Sequence, residues 1–247
     1  MRRRWIADTW SPHTGRPTHA ALTGEQAAHL ARVLRAQPGQ VYDIVANGFL
    51  HRAEITAVSD SEVAFTLHEE LESDAALPIH LLLAVFKFDH FEWAIEKATE
   101  LGVEAIVPIL ARRTEKHLAQ SSEKRVERWR RLAHEAAQQS RRSSVPTIAN
   151  PLPLAARLRE PTSANPILLY EEERQTTLTQ RIQPAHAAPS ADLPKFALAI
   201  GPEGGWAPEE LALFAKADFL PATLGPRILR AETAAIASLA ILAALLP

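Results

Sequence analysis

One stretch limits the possible folds of this chain more than any other: Lys195-Phe-Ala-Leu-Ala-Ile-Gly-Pro-Glu-Gly-Gly205. An apolar run without polar alternation reads as a buried strand, and here it ends abruptly in a glycine-rich loop. Three glycines in five residues permit positive φ and remove the side chains that hold a ligand away. A second glycine turn, Gly225-Pro226, lies just before Arg230, Glu232 and Thr233, polar residues that open an apolar stretch ending at Leu246. Strand, glycine loop and helix form the generic nucleotide-binding arrangement, because loop amides and the helix N-terminus both present donors. The spacing matches neither G-x-G-x-x-G nor a P-loop with its Gly-Lys-Ser/Thr, which argues against a dehydrogenase or an NTPase. A tight connection holding no ligand is the bland alternative.

The rest of the chain places those loops in a fold. Thr23-Gly-Glu-Gln26 fits a capping box ahead of a helix whose apolar residues are Ala27, Leu30, Val33 and Leu34. Gln37-Pro38-Gly39 ends it. Gln40 to Ala46, an Asn47-Gly48 hairpin turn, Phe49 to Val58 and Val63 to His68 predict three strands, hence a small β module. The acidic, small-residue and proline stretch from Glu69 to Pro78 reads as a linker. Beyond it the pattern changes. Apolar strands are expected at Ile79 to Phe86, Val103 to Leu110, Ile167 to Tyr170 and Phe196 to Ile200, with a short apolar stretch from Phe219 to Leu224. Helices are expected at Phe91 to Leu101, Ser122 to Gln139, after Pro208-Glu209-Glu210, and over the C-terminal tail. Trp93 is read as a packing residue of the first of these. Pro146 to Pro166 reads as irregular with one short helix, and Pro184 to Pro194 as a loop. Strands alternating with helices predict an α/β fold with a mostly parallel sheet covered on both faces.

Composition excludes several classes. With no cysteine among 247 residues, disulfides, thiolate catalysis and Cys-ligated zinc are ruled out, and a reducing compartment fits. Met1-Arg-Arg-Arg-Trp5 is basic but leads into no apolar core, so it does not read as a signal peptide. The tail from Ala234 to Leu246 is shorter than the ~20 residues that cross a bilayer. None of the ten histidines stands in a metal-motif pattern, and no Gly-x-Ser-x-Gly occurs. Glu171-Glu-Glu173 reads as a solvated loop. The net charge of −2 hides ten Lys/Arg against four Asp/Glu between Ala111 and Arg142. That excess points to a polyanionic partner or, equally, to a solvated helix face with ion pairs.

Leu198-Ala-Ile-Gly-Pro-Glu-Gly-Gly205, together with Leu224-Gly-Pro-Arg-Ile-Leu-Arg-Ala-Glu-Thr-Ala234, resembles the bacterial 16S ribosomal RNA uridine N3-methyltransferases of the RsmE type, in the SPOUT superfamily. His29-Leu-Ala-Arg-Val-Leu-Arg35 with Pro38-Gly39, Glu96-Lys-Ala-Thr-Glu-Leu-Gly-Val103, Arg113, and Gln139, Arg142 and Val145-Pro146 are similar to further family segments in the same order. The resemblance implies a PUA-like β-barrel over residues 1–74 that helps hold RNA. It implies a SPOUT methyltransferase domain over residues 75–247, an α/β domain tied in a trefoil knot. Phe88 and His90 stand where the family has Gly and Lys, Gln138 where Glu is common, and Arg141 and Ser144 also differ. With the glycine loops intact, these departures bear on RNA positioning.

The resemblance further implies S-adenosylmethionine as cofactor, 16S rRNA or the small ribosomal subunit as substrate, a homodimer, a cytoplasmic location, and neither metal nor membrane. Backbone groups of Leu198, Ile200, Gly201, Gly205, Leu224, Ile228 and Leu229 would cradle the cofactor, with Pro202, Glu203, Gly204, Gly225, Arg230, Thr233 and Ala234 completing its site. Arg230 would stabilise charge on the uracil carbonyls, and Glu232 or Glu203 would take the N3 proton. Turn-bracing by Glu203 and helix N-terminal pairing by Glu232 are the competing structural roles. Arg32, Arg35, Arg112, Arg113 and Arg142 would contact phosphates. Another methyl acceptor, a ribose 2′-hydroxyl or a transfer RNA base, and a non-catalytic assembly factor are the rival functions.

Overall fold

In the computed structural model the chain is described over residues 4–12, 16–73, 75–160, 165–186 and 194–246. It divides into two units, Met1–Ala75 with Ala137–Ser144, and Ala76–Ala136 with Val145–Pro247. The expected Pro184–Pro194 loop falls mostly outside the described residues.

The first unit is a six-stranded sheet. Its elements are β1 (Trp5–Ile6), β2 (Thr9–Ser11), β3 (His19–Thr23), a short α1 (Gly24–Ala28), β4 (Val41–Ala46), β5 (Phe49–Val58) and β6 (Glu62–Leu71), in the order β1-β4-β5-β6-β3-β2. Asn47 and Gly48 both take positive φ, 54° and 80°, as a two-residue hairpin turn between right-twisted strands demands. Two register shifts along the β5–β6 ladder curl the sheet around Leu22, Leu30, Ile44, Ile55, Val63 and Phe65. The capping box does not form. Thr23 instead donates its N–H and hydroxyl to Asp8, at 2.7 and 3.2 Å. After Ala28 the helix widens into a π turn, His29–Val33. The i→i+5 spacing rotates Val33 and Leu34 off the buried stripe, and they stand 65% and 48% exposed. Gln138, fully buried, donates to Gln26 at 2.6 Å within this unit. An amide therefore suits a position where a carboxylate is common.

The second unit is built on parallel strands. In chain order it comprises β7 (Leu77–Ala84), α2 (Phe88–Glu100), β8 (Val103–Leu110), α3 (Lys116–Ser122), α4 (Val126–Gln139), β9 (Thr147–Ile148), β10 (Leu152–Pro153), α5 (Leu154–Arg157), β11 (Asn165–Leu169), α6 (Leu178–His186), β12 (Phe196–Ile200), α7 (Pro208–Lys216), β13 (Leu220–Ala222) and α8 (Ala231–Leu245). The sheet order is β10-β8-β7-β12-β11-β13, with β9 also on β8, and every pairing is parallel. The continuous apolar runs follow from burial on both faces. Leu81, Leu83, Leu198 and Ile200 pack on one side with α2 and α8, while Leu82, Ala84, Ala197 and Ala199 pack on the other with Trp206 and Phe214. Each of these leucine and isoleucine side chains contributes roughly 1.5–3 kcal/mol when fully buried.

Two expectations about helices change. Trp93 points outward, 45% exposed, and the packing aromatics are Phe91 and Trp129, with ring centroids 4.7 Å apart. Helix α6 was not legible, because it is short and carries Pro184 in its last turn. Phe88 also finds a structural use. Its ring lies against Trp129 and carries the Arg125 guanidinium 4.6 Å from its centroid, while Glu92 pairs with Arg125 and Arg128 at 3.3 and 2.8 Å. From β13 at the sheet edge the chain returns to place α8 against α2, α6 and β12.

Candidate active site

Three neighbouring parallel strands, β12, β11 and β13, end at one pocket of about 250 Å³. Ligands in open α/β sheets bind beyond the carboxyl ends of strands, where connecting loops leave a crevice. Here β12 runs out at Ile200 into Gly201–Gly205, β11 contributes Leu169, Tyr170 and Glu171, and β13 contributes Ala222 and Thr223. Leu224, Gly225, Arg227, Ile228 and Leu229 form the facing wall, and Ala231 and Ala234 of the first turn of α8 close it.

The glycine loop is fixed on several sides. Gly205 has φ +70°, and a Cβ there would run into the Glu171 carboxylate. The positive φ favours glycine, while the carboxylate is the far end of an exposed side chain that can swing aside. A Cβ on Gly201 would lie 3.2 Å from the Trp206 indole, which is buried against Phe214. Gly205 N–H donates to the Pro202 carbonyl at 2.8 Å, closing the turn. Glu210, 6% exposed, reaches back from the first turn of α7 to accept from Ala207 N–H at 2.9 Å. Its other oxygen accepts from Arg112 N–H at 2.8 Å, so one carboxylate ties this loop to the one after β8. On the opposite flank Tyr170 donates its hydroxyl to Glu172 at 2.7 Å, and that carboxylate holds the phenol's pKa up at about 12.

The second loop is tied at its start, where Thr223 N–H donates to the Thr176 carbonyl and the Thr223 carbonyl accepts from Leu178 N–H, both at 2.9 Å. Thr223 and Gly225 exchange two 3.1 Å bonds, and beyond them Ile228 is 82% exposed. Arg230 is the exposed N-cap of α8, with no side-chain cap bond. Glu232, by contrast, is buried at 4% exposure and meets His90 Nδ1 at 3.0 Å. His90 faces Asp89 with its other nitrogen at 3.8 Å.

Eleven of the fourteen residues assigned to the cofactor line this pocket: Ile200, Gly201, Pro202, Glu203, Gly204, Gly205, Leu224, Gly225, Ile228, Leu229 and Ala234. Leu198, Arg230 and Thr233 do not. Leu198 sits mid-strand between Leu81 and Ile167 with its side chain fully buried in the core. Sequence reasoning missed Tyr170, Glu171, Thr223 and Arg227. The signal for the first two was present, since an acidic run directly follows a predicted parallel strand. Glu173 alone of that run serves the turn. It accepts from the N–H groups of Gln175 and Thr176 at 2.6 and 3.0 Å, which hold its carboxyl below the usual range.

The five arginines assigned to RNA sit in different settings. Arg32 is exposed and paired with Asp60 at 2.8 Å, and Arg35 is exposed at φ 51°. Arg112 is exposed, while Arg113 donates to the Gly204 carbonyl at 2.6 Å. Arg142 is half-buried, and desolvation pushes its pKa down to about 10, which still leaves it charged at neutral pH. Among the described residues no cluster of three or more His, Asp or Glu could hold a metal, and no helix is long and apolar enough to cross a membrane.

Comparison with known proteins bears directly on this pocket. Residues 73–243 match the model of the RNA methyltransferase domain, and residues 22–67 that of the RNA methyltransferase PUA domain. The ribosomal RNA small subunit methyltransferase E of Bacillus subtilis is 33% identical over 97% of this chain and 94% of its own. The chain belongs to the ribosomal RNA small subunit methyltransferase E family. The Synechocystis member is 34% identical over 91% of this chain and 73% of its own. A putative methyltransferase from Legionella pneumophila, solved with bound S-adenosylmethionine, superposes with a TM-score of 0.78 at 30% identity, covering 99% of this chain and 98% of that one. The methyltransferase E of Neisseria gonorrhoeae shares the fold, with a TM-score of 0.81 at 24% identity over 100% and 98%. This RNA methyltransferase therefore pairs a PUA-like first unit with a SPOUT-type α/β second unit.

Proposed function

We propose that this chain transfers the methyl group of S-adenosylmethionine to N3 of a uridine in the 16S rRNA of the small ribosomal subunit. The observation that carries the reading is the glycine cradle at the carboxyl ends of β11, β12 and β13. Gly201, Gly204 and Gly205 line the pocket without side chains, so a ligand can approach the backbone there. Polar backbone, two carboxylates and an apolar floor suit an adenosine joined to a zwitterionic amino acid. When bound, the cofactor supplies an electrophilic methyl group on its sulfonium.

The chain's own groups handle the uracil. Its N3–H bond must break as the N3–C bond forms, and the leaving proton needs a base. Glu203 stands on the pocket rim, and Glu232 sits one residue past Ala231 in the pocket wall. Arg230 is free to approach uracil carbonyls and offset the charge that develops there. Arg32, Arg35 and Arg112 offer exposed guanidiniums for phosphates. The exposed Ile228 and Leu229 at the pocket rim, with Trp93 on α2, support a homodimer. A ribosomal substrate makes the cytoplasm its place of work. The division at residues 74 and 75 and the trefoil knot belong to the same proposal, the knot being supported by the return of α8 from the sheet edge to α2 and β12.

Calorimetric titration with S-adenosylmethionine, paired with turnover of Arg230→Ala on small subunits, tests this reading. One binding site per chain is expected, with turnover of the variant about 10²-fold lower. Unimpaired turnover removes Arg230 from the mechanism. Absence of cofactor binding would instead favour an RNA-binding assembly role.

A further inference from the structure

Arg113 was assigned to RNA, but its surroundings serve the glycine loop. Its guanidinium donates to the Gly204 carbonyl at 2.6 Å, across 91 positions of sequence. Its Cβ lies 3.4 Å from where a Cβ of Gly204 would stand, so the two backbones run close together. The segment that bears it is itself held. Arg112 N–H donates to Glu210 at 2.8 Å, the Thr114 hydroxyl donates to the Val85 carbonyl at 2.9 Å, and Thr114 N–H closes a turn on the Ala111 carbonyl at 3.1 Å. Glu210 simultaneously fixes Ala207 N–H, just past the glycines. Two of these ties, from Arg113 and Glu210, therefore bracket the loop at Gly204 and Ala207.

A carbonyl takes up part of the donor capacity of a guanidinium at the geometry seen, and a charged donor makes the stronger kind of hydrogen bond. Anchoring the arginine's backbone on both sides reduces the freedom lost in forming it. We propose that Arg113 is a positioning residue for the methyl-donor pocket, holding the Gly204 carbonyl so that the Gly201–Gly205 cradle is formed before the donor arrives. This rests on the donor reading of the pocket given above. A loop shaped in advance saves the ordering cost that binding would otherwise meet.

The test uses the full chain with Arg113→Ala and Arg113→Lys. Titration with S-adenosylmethionine and with S-adenosylhomocysteine should show about tenfold weaker binding of both in Arg113→Ala, and partial recovery in Arg113→Lys, which keeps one charged donor. Hydrogen exchange of the ligand-free protein should be faster at the Gly204 to Trp206 amides in Arg113→Ala and near normal in Arg113→Lys. RNA affinity measured against salt should keep its slope, whereas a lost phosphate contact would lower it by about one. Cofactor affinity within twofold of wild type, or unchanged exchange at those amides, overturns the proposal. If the wild-type chain binds neither cofactor form, the donor reading fails. The exchange experiment still decides whether Arg113 orders the loop, and unchanged exchange rejects it on that ground alone.

Discussion

The two walls of the pocket differ in how they are held. Gly201 to Ala207 is bound by Arg113 and Glu210, packed by Trp206, and turned by Gly205 at φ +70°. Thr223 to Arg230 has four hydrogen bonds at its start, all on Thr223, and then runs exposed, with Ile228 at 82%. Both carry glycine at positive φ, yet a Cβ on Gly225 would meet nothing within 4 Å. The contrast assigns different work to each wall. On the proposed function, one would present a preset backbone surface to a small ligand, and the other would offer adjustable apolar side chains to a large partner or a second copy of the chain.

Replacing glycine on each wall probes that contrast hardest. Gly205→Ala meets both backbone strain, about 1–3 kcal/mol, and the Glu171 carboxylate. Cofactor affinity by titration should fall by roughly ten- to a hundredfold, while Gly225→Ala, on a loop tied only at its start and able to relax, should lose less. Equal losses would erase the distinction. Next in size is Glu210→Ala. It leaves the buried Ala207 N–H without its acceptor, costing about 1–3 kcal/mol, and also frees the Arg112 N–H, which is only part-buried and within reach of water. Denaturant unfolding should show it, with cofactor binding weakened in step.

A pH effect separates the pocket from the first unit. Burial holds the His51 imidazole below its ordinary value. As pH falls through about 6.5 the unfolded chain takes up a proton before the folded one does. The unfolded state then binds more protons, so stability drops on acidification toward the folded value. His51→Leu should flatten that slope in melting experiments without altering cofactor affinity at neutral pH. The smallest effect is expected from Ile228→Ala. At so exposed a site fold stability should stay within about 0.5 kcal/mol, while self-association measured by sedimentation weakens. A large loss of stability would mean that the second loop is braced after all.

Much of this was written in local sequence. The parallel sheet was legible because strands buried on both faces lose polar alternation, as Leu81 to Ala84 and Phe196 to Ile200 do. Asn47-Gly48 and the glycine loops were legible because φ demands specific residues. The π turn after Ala28 was not, since Val33 and Leu34 continue the apolar spacing of an ordinary helix and only the widened hydrogen bonding turns them outward. The contacts of Glu171, Glu210 and Arg113 were not legible for a common reason. Each acts on a partner 34 to 98 positions away, and no periodicity within a segment encodes such a meeting. Glu232 was legible as a helix N-terminal carboxylate, but its pairing with His90 needed α2 and α8 to be placed side by side.

The measurement that bears most directly on the account is nucleoside mass spectrometry of RNA methylated by the purified protein. Small subunits and naked 16S rRNA are incubated with label carried on the methyl group of S-adenosylmethionine, digested, and the modified base is mapped. Label is expected in N3-methyluridine at a single position of 16S rRNA, and at limiting cofactor it should be strongly reduced in Gly205→Ala. Label on a ribose 2′-hydroxyl or another base, or no transfer to either substrate, would contradict the account.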